Sequence, residues 1–513
     1  MRARFLRRAV VLPAAALALL AAAPSVSADP PFFTSEPLMI TLTDPTTSDA
    51  VPIISSGDEL GDFLFEGIPD GIGAMPGQNG SVEVFVNHEQ SRVPFMGLAD
   101  FKWSSVSHLT LDGSTGGVLD GSVALPQDVA FHRFCSATMA GPAEGLPSYL
   151  YLTGEETNDR VAVPAGAPYG PDQAYAPAND RQSGYGVVLD PVTGDFTEVA
   201  GLGRYNHENA MVLPGDWDHI AILSGDDTFT APSSQLYMYL ADSEQDIWAD
   251  NGSLWAFRIT HKNGVRVAEE DAFNGANDYG DISGGDHLRG RFIRVPAKIA
   301  KGQTSLPPQD ALEKWSNDNN VFQFIRVEDT AYDPNVGPGE NPVMYFTDTG
   351  SSGAVPDATT GRLKGGGVGP YGRGRVFRME FSPDNPRKVE DLTIVLDGNA
   401  TTNPVSPALR NPDNLGISAN SLMVQEDTSS GHNARVLRYD LDSGAWSVVA
   451  AVNTLSWETS GIIDASAFYG PGTWLLDVQA HTIFVGPTDT TTTPGVTIKR
   501  EGGQLILLAV DGS

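Results

Sequence analysis

One cysteine in 513 residues excludes an internal disulfide, because Cys135 has no second thiol in its own chain. A lone thiol leaves three roles: buried apolar filler, a link to another chain, or a metal ligand. Taken alone, a lone cysteine reads as filler. Positive charge is also scarce, with 32 Lys+Arg against 64 Asp+Glu and a net charge of −32. Such a chain repels nucleic acid and anionic membrane surfaces. It suits a solvated acidic surface or a protein that holds several cations. Beyond the N-terminus no apolar run reaches membrane length, so no span is expected there. Familiar catalytic signatures are missing too. The pairs His88-Glu89 and His207-Glu208 do not extend to HExxH, no GxSxG elbow or phosphate-binding P-loop occurs, and the 9 histidines lack zinc spacing. GVGPYG fits GxGxxG by letter, but it precedes a strand pattern instead of following one and reads as a loop.

The first residues carry an export pattern. Arg2, Arg4, Arg7 and Arg8 precede an Ala/Leu-rich run from Ala9 to Ala23, and Val26-Ser27-Ala28 supplies small residues for cleavage. Residues 1–28 are expected to be a signal peptide and 29–513 a single domain. Arg7-Arg8 allows twin-arginine export of a folded chain, with the general secretory route as the alternative. The product is expected to be secreted, periplasmic or on the cell surface, and a monomer.

Helical periodicity is rare, and 55 Gly and 36 Pro punctuate short apolar runs. This is an all-β pattern. Six runs end in polar, mostly acidic tips: VEVFVNHE, YLYLTGEE, HIAILSGDD, PVMYFTDT, SLMVQED and TWLLDVQAH. Strands running into Asp/Gly turns recur between them, as in RVFRMEFSPDNP and RVLRYDLDSGAW. A third element precedes each tip, usually by 19 or 20 residues: Asp70, Cys135, Glu208, Glu328, Asp413 (closer to its tip) and Glu458. A six-bladed β-propeller with inserted loops accounts for all three, since its inner strands and the segments entering them converge on a central channel. Residues 239–320 would hold the longest insertion. The competing arrangement is a pair of β-sandwiches with acids in their turns.

Many carboxylates converging on one channel require cations. Oxygen donors select hard ions such as Ca²⁺, Mg²⁺, Mn²⁺ or Fe³⁺, and a thiolate beside them argues for a transition metal. The candidate ligands are Glu155, Glu156, Glu208, Asp227, Glu328, Asp413, Glu426 and Asp427, with Cys135 if it joins the ring.

In order and spacing, VNHE, Cys135, GEETND, GRYNHE, GDD, RVED and NPDN resemble the PhoX-type alkaline phosphatases from about Asn87 to His481. The resemblance implies a six-bladed propeller, exported, that hydrolyses phosphate monoesters at an iron (Fe³⁺) and calcium cluster. It implies that Cys135 is an iron ligand, and that Glu208 and Glu328 bind or bridge metals. It adds Glu155, Glu156 and Asp227 to the set, with calcium the expected ion for several. Arg326, two residues before Glu328, would lie against the phosphate of a small ester. The chain departs from the family pattern after Cys135 (SATMAGPAEGLPSY), at Val327, and at VQAHT near the C-terminus. Two other readings stand beside this one: a calcium-dependent lactonase or esterase on the same scaffold, which needs no thiol, and a non-catalytic binding propeller.

Overall fold

The strand YLYLT has no polar face: Leu150, Tyr151 and Leu152 are all buried. A strand buried on both sides needs a packing partner on each. The computed structural model shows how each side is met. It describes residues 30–90, 103–158, 160–162, 180–228, 234–267, 278–357, 362–400, 408–428, 431–488 and 497–513, so the expected signal segment lies outside it. Residues 31–513 cluster as one unit.

Six four-stranded antiparallel units follow one another along the chain. Blade 1 is Pro69–Pro76, Val82–His88, Ser105–Leu111 and Val118–Leu125, and blade 2 is Phe134–Ala140, Leu150–Glu155, Tyr185–Leu189 and Phe196–Arg204. Blade 3 is His207–Leu213, Ile220–Asp226, Leu236–Ala241 and Ser253–Lys262, and blade 4 is Val327–Tyr332, Val343–Asp348, Arg375–Ser382 and Asn385–Asp397. Blade 5 is Pro412–Ile417, Ser421–Glu426, Arg435–Asp440 and Trp446–Val452, with Ile40–Leu42 added at its outer edge. Blade 6 takes Trp457–Asp464, Thr473–Thr488 and Thr497–Val510 from the C-terminus, and its outermost strand, Ser48–Ser55, from the N-terminus.

The first strands of the six blades touch in cyclic order, and the sixth returns to the first. Small residues let them close. A Cβ on Gly71 would lie 2.2 Å from the Ala137 nitrogen, and one on Gly461, at φ +42, would lie 2.4 Å from the Asp70 carbonyl oxygen.

Each interface between blades is an apolar layer, and alternation within each strand serves two layers. Leu150 and Leu152 pack with Ala210, Val212 and Ile222 of blade 3. Tyr151 packs with Met75, Phe85 and Val106 of blade 1. Trp474 and Leu476 face blade 5, while Leu475 between them faces blade 1.

Blades 3 and 4 depart from the simple repeat. Leu288–Arg294 pairs with Ser253–Lys262 on one side and Asn385–Asp397 on the other, fusing the two blades into one ten-stranded sheet. The insertion is therefore shorter than residues 239–320, because Tyr239 and Ser253–Lys262 belong to blade 3. Among the described residues no helix is long and apolar enough to cross a membrane.

Candidate metal centre

The second residue of each inner strand is Asp70, Cys135, Glu208, Glu328, Asp413 and Glu458 in blades 1 to 6. The residue after each neighbouring second-strand tip is Glu89, Glu156, Asp227, Thr349, Asp427 and His481. These two rings meet at one mouth of the channel. Three overlapping groups have their ligand atoms within 4.8 Å of one another: Asp70, Glu89 and Cys135; Cys135, Glu156 and Glu208; Glu208, Glu328 and Asp413. Cys135 is shared by the first two groups and Glu208 by the last two.

The acid pairs at the tips are divided in function. In blades 2, 4 and 5 the first member of the tip is tied into the fold. Glu155 is fully buried, with Arg181 Nη2 at 2.9 Å and the backbone amides of His132 and Gly184 donating at 2.9 and 3.1 Å. Glu426 accepts from Arg435 Nε at 2.6 Å and from the Arg410 amide at 2.8 Å. Asp348 accepts from the Arg375 amide at 3.0 Å and the Tyr279 hydroxyl at 3.1 Å. Two of the sequence-derived ligand candidates stand apart from the three groups: the carboxylates of Glu155 and Glu426 are engaged by arginines and amides. The second member of each tip faces the ring. Glu156 is in a group, while Asp227 and Asp427 lie on Arg326.

Arg326 donates to both oxygens of Asp227, Nε to Oδ1 at 2.8 Å and Nη2 to Oδ2 at 3.0 Å. Its Nη2 is also 3.4 Å from Glu328 Oε1, and its Nη1 is 3.9 Å from Asp427 Oδ2. Two candidates that the sequence spacing marked but did not assign, Asp70 and Glu89, belong to the first group. The positioning residues were not foreseen. Asn87 Nδ2 donates to the Cys135 carbonyl at 2.6 Å and to Thr153 Oγ1 at 2.8 Å, tying blade 1 to the thiol-bearing strand. Gln479 Nε2 reaches Asp70 Oδ2 at 2.7 Å and Glu89 Oε2 at 3.1 Å, and Ser460 Oγ donates to Asp70 Oδ1 at 2.7 Å.

Electrostatics disfavour bare negative charge in this ring. Burial, then repulsion from Glu89, pushes Asp70 up to about 8. Burial is also the main cause that raises Glu208, Glu328 and Asp413 well above the carboxylate range, reinforced by neighbouring acids. Glu156 is raised by burial against the opposing pull of Arg133, and the Cys135 thiol is raised by burial and by Asp70. Glu458 differs. Burial pushes it up, but hydrogen bonds from Asp427 and His481 prevail and hold it at about 2.

Two atoms of the third group, Glu208 Oε2 and Asp413 Oδ1, are buried with no hydrogen-bond donor among the described residues. Acceptors clustered in this way fit a cation. Three carboxylates suit a hard ion, while a shared thiol suits a transition metal.

The division of the tip pairs gives contrasting expectations for two adjacent residues. Replacing Glu155 with Gln removes the nearer of two carboxylates from buried Arg181, with Glu198 remaining at 3.9 Å, which should cost about 3 kcal/mol in urea unfolding, with metal content per folded chain unchanged. Replacing Glu156 with Gln should lower metal content and leave the metal-free stability nearly unchanged. Equal effects of the two on metal content would contradict the division.

A family model described as Alkaline phosphatase PhoX matches residues 132–465. Among solved structures the chain resembles Pseudomonas fluorescens PhoX in complex with vanadate, a transition state analogue, at 16% identity and a TM-score of 0.62, covering 92% of this chain and 96% of that one. An α-L-arabinanase from Penicillium chrysogenum complexed with arabinobiose matches at 8% identity and a TM-score of 0.42, covering 90% and 98% of the two chains. No curated protein sequence matches the chain.

Proposed function

The chain belongs to the PhoX alkaline phosphatase family, and from that premise we propose an exported hydrolase of phosphate monoesters working at an iron and calcium cluster in the channel mouth. The observation that carries this reading is the three-group chain of ligands, joined through Cys135 and Glu208 and bordered by Arg326. Asp70, Glu89, Cys135 and Glu156 would hold iron around the shared thiolate. Glu208, Glu328 and Asp413 would hold calcium, with Glu208 common to both parts. When bound, these ions supply charge neutralisation on the phosphate oxygens and a nucleophile at neutral pH.

The chain's own residues would do the rest. Arg326 would bind two phosphate oxygens with its planar fork, a geometry a lysine cannot match. Asp227 orients that fork in the protein, gripping the Nε and Nη2 edge. Asn87 fixes the Cys135 backbone and so the direction of its thiol. Thr349 Oγ1 donates to Glu328 and holds that carboxylate at the ring. We take residues 1–28 as the export signal and the rest as one monomeric propeller domain.

The test is elemental analysis of the purified protein paired with release of phosphate from p-nitrophenyl phosphate in calcium buffer. Iron together with calcium, and turnover, are expected. Arg326→Met should lower kcat/KM by roughly 10²–10³-fold with metals retained, the size of effect seen when one donor to a transition-state oxyanion is lost. Calcium alone with no phosphate release would replace this reading with a calcium-only hydrolase or a binding propeller.

A further inference from the structure

Arg326 has a counterpart that neither the sequence patterns nor the family match singles out. Arg133 stands two residues before Cys135 at the entrance to blade 2, as Arg326 stands two residues before Glu328 at the entrance to blade 4. Both adopt a left-handed backbone, with φ of 48° and 61°. That conformation is strained for a residue with a long side chain. The same conformation recurs at Ile68 (φ 41°) and Asn411 (φ 44°), two residues before Asp70 and Asp413, so it belongs to the blade entrance, and what sets the two arginines apart is where their guanidinium groups lie. In both cases the guanidinium reaches the channel mouth and stays partly open to solvent, with the side chain 35% exposed in Arg133 and 20% in Arg326.

Their partners are equivalent as well. Arg133 Nη2 lies 2.9 Å from Glu89 Oε1 and 3.3 Å from Glu156 Oε2, the channel-facing tip residues of blades 1 and 2. Arg326 grips Asp227 and approaches Asp427, the corresponding residues of blades 3 and 5. Asp227, which Arg326 grips, also contributes to the field at Arg133, so the two cations share one acidic neighbourhood. Glu89 and Glu156 each belong to a candidate metal group. A cation bound there would take up their charge and leave the guanidinium beside an incoming anion.

We propose that Arg133 is a second phosphate-binding residue, sharing the mouth with Arg326, and that the pair selects phosphate monoester dianions over diester monoanions. The proposal rests on the phosphatase reading above. A terminal phosphate presents enough non-bridging oxygens for two forks and carries nearly two charges at neutral pH. A diester has one oxygen fewer to offer and one charge. A second guanidinium therefore strengthens monoester binding more than diester binding.

The experiment uses metal-loaded full-length protein carrying Arg133→Met, with Arg133→Lys as the conservative variant. Inorganic phosphate binding is measured by calorimetry, metal content by elemental analysis, and KM and kcat on p-nitrophenyl phosphate and bis(p-nitrophenyl) phosphate. With metal content unchanged, Arg133→Met should weaken phosphate binding and raise the monoester KM by about 10- to 100-fold, the range for one charged hydrogen-bonding group. The monoester kcat should change less, the monoester-to-diester ratio should shrink, and Arg133→Lys should recover part of the loss. Unchanged phosphate affinity at full metal content would overturn the assignment. So would a loss that follows metal content alone, since Arg133 would then only tether Glu89 and Glu156. Failure of the parent reading looks different: the unsubstituted loaded protein would neither bind phosphate nor hydrolyse the monoester.

Discussion

Replacing Cys135 with serine is expected to strip iron from the protein and reduce phosphate release by at least about a hundredfold. The thiol belongs to two of the three ligand groups, so its loss weakens both together. Serine preserves the volume to within one atom but offers a hydroxyl that does not ionise near neutral pH. The fold should tolerate the change. Burial, then the neighbouring acids, pushes the Cys135 thiol up, and in the metal-free protein the thiol lies 3.1 Å from Asp70 Oδ2, a contact that a hydroxyl can repeat. A variant that melts normally without metal, lacks iron and is inactive is the predicted result. Full activity with an unchanged iron content would remove Cys135 from the centre.

The second large effect concerns pH. In the metal-free protein Asp70 is raised to about 8, and Glu156, Glu208, Glu328, Asp413 and Asp427 are raised too, each chiefly by burial. The same side chains in an unfolded chain titrate near 4. Between about pH 4 and pH 8 the native metal-free state thus binds more protons than the unfolded one. Stability therefore falls as pH rises through that window. The chelated protein should lose about 5 °C or more in Tm between pH 5 and pH 8. The loaded protein should lose much less, because its carboxylates are ionised against cations throughout. Asp278 and Asp329, raised to about 7 by burial and outside the ligand groups, contribute the same trend to both forms. The difference between the two profiles is therefore the quantity to measure. Parallel profiles would mean that these acids hold no ions.

The inner ring was legible from spacing. Asp70, Cys135, Glu208, Glu328 and Glu458 each precede a strand tip by 19 or 20 residues, the length of one hairpin, and all stand second in their strands. The tips were legible only as pairs. Glu155 and Glu156 are neighbours in the chain, and what separates their roles is Arg181, which lies on another strand 26 residues further on. A partial signal existed in blades 4 and 5. Arg375 and Arg435 head the repeats RVFR and RVLR, where Arg435 clamps the tip acid Glu426 and Arg375 presents its amide to Asp348. Reading those arginines as partners of the tips would have paired Glu426 with Arg435. Arg133 carried no such mark, because what singles it out is that its guanidinium spans Glu89 of blade 1 and Glu156 of blade 2. The fusion of blades 3 and 4 was hidden for a similar reason. Leu288–Arg294 alternates like any edge strand, and only its two neighbours make it a bridge.

The closure of blade 6 by Ser48–Ser55 sets an order in time. That strand pairs with Thr497–Val510, so the last blade cannot be completed until nearly the whole chain has been synthesised. Ser460 and Gln479, which hold Asp70, are 390 and 409 residues away from it along the chain. A nascent chain still missing the strands of blade 6 can build blades 1 to 5 from near neighbours, yet it presents Asp70 without its supports. The proposed metal loading would thus be a late step of biogenesis. An ion offered early meets loose carboxylates, and the same ion offered after the ends have joined meets a finished site.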